Sequence, residues 1–345
     1  MRVAVLNTSV PFLRGGAEHL ADGLLRELAA RGHEVEHLKL PLRWATPQDV
    51  AESMVAAASI RMPEAERVIA LKFPAYLVQH PNKVVWLLHQ FRQVYDLWGT
   101  PLQDLPDTPE TADLRRAIRQ ADARAFTQSQ AIFSNSTVTA SRLQRFNGFT
   151  SKVILAPHSD PGQFSCEEYG DFVLAIGRVT AGKRQHLLLE ALAQTSTAVR
   201  LVIAGKSETD AYRHRLEGLI AEHGMASRVQ LIPEFISEKV KADLLARCRA
   251  VAYLPVDEDS YGYVTAEAMY SSKPVITCAD AGGVLELVVD GHTGLVCDAT
   301  AASLAVAMDR LGSDEELARH LGRQAAHEVD RLDLSWDRAV SDLLA

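Results

Sequence analysis

The sequence predicts an α/β chain built as two successive parallel-sheet halves with helices packed on their strands. Short runs rich in Val, Ile and Leu alternate with segments of helical periodicity almost throughout. That alternation breaks once, in the Pro/Gly/polar stretch APHSDPGQFSCEEYGD at about residues 156–171. A chain of 345 residues, 47% hydrophobic and 23% charged, is long enough and ordinary enough in composition to bury two cores.

In the first half the strands are expected at Val3–Leu6, Val35–Leu40, Val68–Leu71, Val84–Leu88, Ala131–Ser134 and Lys152–Leu155. Between the first two, Leu20, Leu24, Leu25 and Leu28 recur at helical spacing, and Gly32 stops the helix. Thr108-Pro109 reads as a polar cap followed by Pro at the first helical position, opening a helix with an arginine face of Arg115, Arg116 and Arg119. That face is either solvated or docks on an anionic membrane surface. The second set of strands falls at Phe172–Ile176, Arg200–Ala204, Val229–Leu231, Val251–Leu254, Val275–Thr277 and Gly294–Cys297. The domains are therefore 1–160 and 161–330.

Net charge is −8 and unevenly spread: residues 1–160 carry 18 Lys+Arg against 16 Asp+Glu, and the rest 18 against 28. A general nucleic-acid binder shows a basic footprint that this chain lacks. No run of eighteen apolar residues is present, and the MRVAVLN start reads as a strand without the layout of a signal peptide, so a cytoplasmic protein is expected. Cys166, Cys248, Cys278 and Cys297 have no paired short spacing. They read as free thiols, three of them in the core, and no metal site is expected of them.

The most informative stretch is DEDSYGYVTAEAMYSSKPVITCADAGGVLELVVDGHTGLV, residues 257–296. Asp259 and Glu267 stand eight positions apart around a Tyr-Gly-Tyr step, the first in a loop and the second on a short buried helix, Val264–Tyr270. The amides at such a helix start suit an anion, so the pattern fits a polyhydroxylated ligand carrying a phosphate. Arg178 and Lys183 follow the first strand of the second half and suit a diphosphate whose charge grows as it leaves; taken alone they would read as solvated cations. Gly177-x4-Gly182-Lys183 is a phosphate-loop pattern up to its last position, where Arg184 replaces the magnesium-holding Ser or Thr, so nucleotide hydrolysis is not expected. Gly15-Gly16, inside FLRGGAEHLADGL, precede a helix and allow close approach to its N-terminus, or serve as a plain turn. The full dinucleotide fingerprint G-x-G-x-x-G is missing, which disfavours a nicotinamide oxidoreductase. His89 closes the fourth strand, either as a structural hydrogen-bonding residue or as a site residue.

These residues resemble the retaining GT-B glycosyltransferases of family 4, the glycosyl transferases group 1. The resemblance rests on Asp259, Glu267, Ala268-Met269, Pro274-Val275-Ile276, Gly282-Gly283, Glu286 and Gly291-His-Thr-Gly294, in that order and spacing. One departure is Asp259, where the family usually has Glu. The resemblance implies two Rossmann-like domains facing each other across a substrate cleft, with a C-terminal helix, 331–345, closing the N-terminal domain. It implies that Glu267 binds the nucleotide ribose and Asp259 the sugar hydroxyls. Arg178, Lys183 and the amides of Tyr261, Gly262, Tyr263 and Val264 would hold the diphosphate. Gly205 and Lys206 would lie near the nucleotide, and backbone groups of Glu234, Phe235 and Ile236 would read the base. Gly15 and Gly16 would line the cleft below the donor, and His89 would orient the transferred sugar. Asn135 matches a recurrent cleft feature, or serves a turn. Gln90, Arg92, Tyr95 and Asp96 are candidates for the acceptor pocket.

The expected reaction is retaining transfer of a sugar from a UDP- or GDP-sugar to a hydroxyl acceptor, with no cofactor and no metal. The acceptor would be a glycan, a lipid-linked molecule or a small molecule, in polysaccharide, glycolipid or natural-product synthesis. Two alternatives remain open: an epimerase or phosphorylase of the same fold, and a non-catalytic nucleotide-sugar-binding protein.

Overall fold

The structure, a computed structural model, describes residues 1–10, 15–100 and 102–345. Phe12, Leu13 and Arg14, which lead into Gly15-Gly16, lie outside the described residues. The chain divides into two compact units: Met1–Ser159 with Ser335–Ala345, and Asp160–Leu334.

The first unit runs β1 (Arg2–Ser9), α1 (Gly16–Ala30), β2 (Glu34–Pro41), α2 (Pro47–Ser59), β3 (Arg67–Ala70), β4 (Lys83–Leu87), α3 (Pro109–Thr127), β5 (Ala131–Ser134), α4 (Thr137–Asn147) and β6 (Lys152–Val153). Its strands pair in parallel in the order β2-β1-β3-β4-β5-β6. Leu20, Leu24 and Leu28 of α1 are buried at the spacing that marked the helix, and Gly32 follows its end at φ 81°. Thr108 caps α3 by accepting the Thr111 amide, and Pro109 occupies the first turn. Arg115 donates to Val94 O at 2.9 Å and lies over the Trp98 ring, while Arg119 lies over Tyr95. Two of the three guanidiniums of the arginine face are thus turned onto the unit's own rings, and Arg116 pairs with Asp113.

The second unit runs β7 (Phe172–Ile176), α5 (Gln185–Leu192), β8 (Arg200–Ala204), α6 (Asp210–Glu222), β9 (Val229–Ile232), α7 (Glu238–Arg247), β10 (Ala250–Ala252), α8 (Tyr263–Tyr270), β11 (Val275–Cys278), β12 (Gly294–Cys297), α9 (Ala301–Ser313) and α10 (Glu315–Arg331). Its sheet is also parallel, in the order β12-β11-β10-β7-β8-β9. Along β7, Val173 and Ala175 enter one hydrophobic cluster, while Leu174 and Ile176 enter another. A strand covered on both faces reads as an unbroken apolar run, which is why it was visible in the sequence.

The last helix, α11 (Trp336–Leu344), returns to the first unit. The Trp336 ring packs where a side chain on Gly23 of α1 would sit, and it meets Trp86 edge to face at 6.4 Å. Arg67 of β3 donates to the carbonyls of Leu344 (3.1 Å) and Ala345 (3.0 Å). The four cysteines are unpaired; Cys166 is exposed and the other three are buried. Burial holds the Cys248 thiol up at about 12 and those of Cys278 and Cys297 at about 11, so they are inert packing groups. Among the described residues no helix is long and apolar enough to cross a membrane.

Candidate functional site

In an open parallel sheet the ligand crevice lies outside the carboxyl ends of the strands, at the point where strand order reverses. In the second unit that point lies between β7 and β10. Arg178 and Lys183 follow β7, while Tyr253, Glu258 and Asp259 follow β10. The motif residues of the sequence therefore gather at the crevice the topology prescribes.

The loops are locked together by backbone. Gly177 N donates to Ala204 O (3.0 Å), Gly205 N to Ile232 O (2.9 Å) and Val179 N to Lys206 O (3.1 Å). Gly205 crosses Gly177 so closely that a Cβ would stand 1.8 Å from the Gly177 carbonyl oxygen. On the other side, Glu258 N donates to Ala281 O (3.2 Å) and Gly283 N to Glu258 O (2.9 Å). Gly282, at φ 67°, lies where a Cβ would come within 2.4 Å of Glu258 O. The Gly-Gly turn of the motif is the bed on which the acidic loop rests.

Each side chain then has a definite place. Arg178 is exposed and has no side-chain hydrogen bond or ion pair among the described residues. Lys183 is largely buried; its Nζ donates to Tyr253 Oη at 2.8 Å and pairs with the Glu258 carboxylate. Burial works against the Lys183 charge, but Tyr253 and Glu258 outweigh it and hold its pKa above the ordinary lysine value. Arg184, at φ 54°, forks onto Asp280 at 2.7 and 2.9 Å and donates to Leu254 O and Pro255 O. The residue that spoils the phosphate-loop pattern is the tie between this loop and the strand ends of β10 and β11, and its hydrogen bonds hold the Asp280 carboxyl below its usual range.

Asp259 is half-buried in the loop before α8, and Tyr261, two residues on, is buried. Gly262, against the Tyr253 ring, starts α8 without a side-chain cap; Tyr263 and Val264 form its first turn. Glu267, 4% exposed, accepts from Lys241 Nζ of α7 at 2.6 Å, and Lys241 also pairs with Glu238 at 2.7 Å. The sequence offered no sign of Lys241. Lys206 and Glu234 are exposed, Ile236 is half-buried, and Phe235 stands 81% exposed beyond the end of β9.

In the first unit the reversal lies between β1 and β3. Gly15, at the start of α1, donates its amide to Glu18 Oε2 (2.8 Å), with Gly16 next in the helix. Lys72, just past β3, stands 3.6 Å from Glu18 Oε1, a cation beside this helix start that no sequence motif marks. His89 follows β4, and its Nδ1 is 2.7 Å from Gln90 O. Gln90 is itself buried and donates to Asn147 Oδ1 (3.0 Å); Asn147 donates to Tyr95 Oη (2.9 Å), which donates to buried Asp122 (2.8 Å). Gln90 and Tyr95 thus serve an internal network beneath the His89 loop. Arg92 pairs with Asp96 at 2.6 Å, and Arg142 lies 3.6 Å from the same carboxylate. Asn135, 6% exposed at the end of β5, has a buried Oδ1 with no hydrogen-bond partner among the described residues. A buried acceptor left open at a strand end is a place for a ligand donor. Among the described residues no group of three or more His, Cys, Asp or Glu is placed to hold a metal ion.

Residues 163–328 match the family model described as glycosyl transferases group 1. The D-inositol 3-phosphate glycosyltransferase of Streptomyces bingchenggensis is 32% identical over 178 residues, 49% of this chain and 38% of that protein. The alpha-D-kanosaminyltransferase of Streptomyces kanamyceticus is 27% identical over 271 residues, 75% of this chain and 64% of that protein. The chain thus spans less than two thirds of the length of these curated relatives. Among solved structures, HepE of Anabaena in complex with UDP and glucose matches with a TM-score of 0.71 at 18% identity, covering 99% of this chain and 100% of that one. The sucrose-phosphate synthase of Thermosynechococcus elongatus matches at 0.75 and 19% identity, covering 99% and 97%. With the strand order of both sheets and the motif of the second unit in agreement, the chain has the GT-B fold, and its residues 163–328 match the glycosyl transferases group 1 family.

Proposed function

We propose that this protein is a retaining glycosyltransferase that moves a sugar from a nucleotide-diphosphate sugar to a hydroxyl acceptor. The observation that carries the reading is the meeting of Lys183 with the DEDSYG loop across the β7/β10 reversal, with Arg178 exposed beside it and Glu267 held on α8. A protein of the same fold was solved in complex with UDP and glucose, which favours a nucleotide-sugar donor here.

In this reading Glu267 takes the ribose hydroxyls and Asp259 the hydroxyls of the sugar. The bond from the anomeric carbon to the diphosphate oxygen breaks, and the new bond to the acceptor oxygen forms on the same face. The acceptor's proton passes to the departing phosphate oxygen, so nucleoside diphosphate and glycoside leave with charge balanced. Arg178, Lys183 and the start of α8 stabilise the charge that builds on the leaving group, which is electrostatic preorganisation without a metal. At the strand ends of the first unit, His89 and Asn135 bind ligand hydroxyls, the open Oδ1 of Asn135 accepting from one.

The test is incubation with a panel of UDP- and GDP-sugars, reading release of nucleoside diphosphate with and without hydroxyl acceptors. Lys183→Ala is expected to cut turnover by roughly 100-fold or more, the scale of losing one transition-state stabiliser. Full activity in that variant, or no release from any donor, overturns the reading.

A further inference from the structure

We infer that Glu258 is a specificity residue of the donor site: it occupies the Lys183 ammonium until a diphosphate displaces it. This inference rests on the reading above, and it concerns a carboxylate outside the Asp259/Glu267 pair.

Three observations carry it. Lys183 is a largely buried cation of the site, yet its Nζ is already paired with Glu258 and donates to Tyr253 Oη at 2.8 Å. Glu258 cannot wander, because its own backbone is bound on both sides of the Gly282 turn, through its amide to Ala281 O and through its carbonyl to Gly283 N. Arg178 has no such partner among the described residues and stands exposed.

Arg178 and Lys183 therefore differ. Arg178 is open to any phosphate, whereas Lys183 is open only to an anion that out-competes a tethered carboxylate. Tyr253 is a neutral phenol, its pKa pushed up to about 12 by burial, and it keeps its hydrogen bond to Lys183 during the exchange. A nucleoside monophosphate has one phosphoryl group to offer and meets Arg178 alone. A diphosphate has a second group that replaces Glu258 at Lys183. The carboxylate thus acts as a threshold that favours diphosphates by excluding weaker anions, a repulsive element of specificity.

The experiment is calorimetric titration of the intact chain and of Glu258→Gln with UDP, GDP, UMP and GMP. Removing the competing charge is expected to tighten the diphosphate that binds by about tenfold, while the matching monophosphate binds as before. A general loosening or stiffening of the site would move both ligands together. Equal affinities for the diphosphate, or equal gains for both ligands, overturn the inference. Glu258→Ala repeats the test if the glutamine variant does not fold. Lys183→Ala separates this inference from the donor reading. If that variant loses the diphosphate while Glu258→Gln changes nothing, the threshold alone fails; if the intact chain binds neither UDP nor GDP, both fail.

Discussion

Replacing Asp122 by Asn makes a measurable change in how stability depends on pH. The side chain is fully buried in α3, and its Oδ2 accepts from Tyr95 Oη at 2.8 Å. Burial raises its pKa from 3.8 to about 7, against the opposing hydrogen bond of Tyr95. The folded state therefore keeps a proton that the unfolded chain releases between about pH 4 and pH 7. Where the folded state binds more protons, stability falls as pH rises, so the protein loses stability through that window and none of this loss occurs below it. A gap of about 3 pH units at 1.36 kcal/mol each sets the scale at about 4 kcal/mol. Asn keeps an oxygen for Tyr95 and cannot titrate, so it removes the slope. The chain's four tryptophans, Trp44, Trp86, Trp98 and Trp336, all lie in the first unit, and their fluorescence reports the unfolding of that unit. Denaturant melts followed by that signal from pH 4 to 8 are expected to show the parent falling relative to Asp122→Asn as pH rises. Parallel curves for the two proteins would refute the placement of a protonated carboxyl in this network.

Other consequences concern the second unit. Lys241→Met removes the cation paired with the buried Glu267 carboxylate and is expected to cost about 3 kcal/mol, with much of it regained in Lys241→Met/Glu267→Gln, as read by chemical denaturation. Gly282 and Gly291 share nearly the same backbone angle, φ 67° and 68°, but only Gly282 has neighbours where a Cβ would go. Gly291→Ala should therefore cost only the left-handed penalty of about 1 kcal/mol, while Gly282→Ala costs more because the Glu258 backbone must shift to admit a Cβ. Arg184→Ser completes the phosphate-loop pattern on paper, yet it removes the tie to Asp280, Leu254 and Pro255. Its expected result is a lower melting temperature and no ATP or GTP hydrolysis; hydrolysis above the parent would show that the loop is a nucleotide-hydrolase loop after all.

What could be read from the sequence, and what could not, divides along a physical line. Strands such as Phe172–Ile176 and Arg200–Ala204 were legible to the residue because parallel strands covered on both faces must be continuously apolar. The Asp259 to Glu267 spacing was legible because a loop and a helix start are local structures. The counter-charges were not. Lys183 meets Tyr253 and Glu258 across 70 and 75 residues, and Lys241 meets Glu267 across 26. No periodicity links such positions; Lys183 reaches its partners because β7 lies beside β10 with two βα units inserted between them in the chain, and Lys241 reaches Glu267 because α7 and α8 meet from either side of β10 in the sequence. Asp122 was hidden for the converse reason. In RRAIRQADARAF it looks like one more solvated charge, and only the arrival of Tyr95 and Tyr76 turns it inward. A motif therefore records the backbone path and the groups that touch the ligand, whereas the residues that set the charge state of those groups come from topology. That is why Glu258, flanked by two other acids in the sequence, becomes distinguishable from them only when its partner is seen.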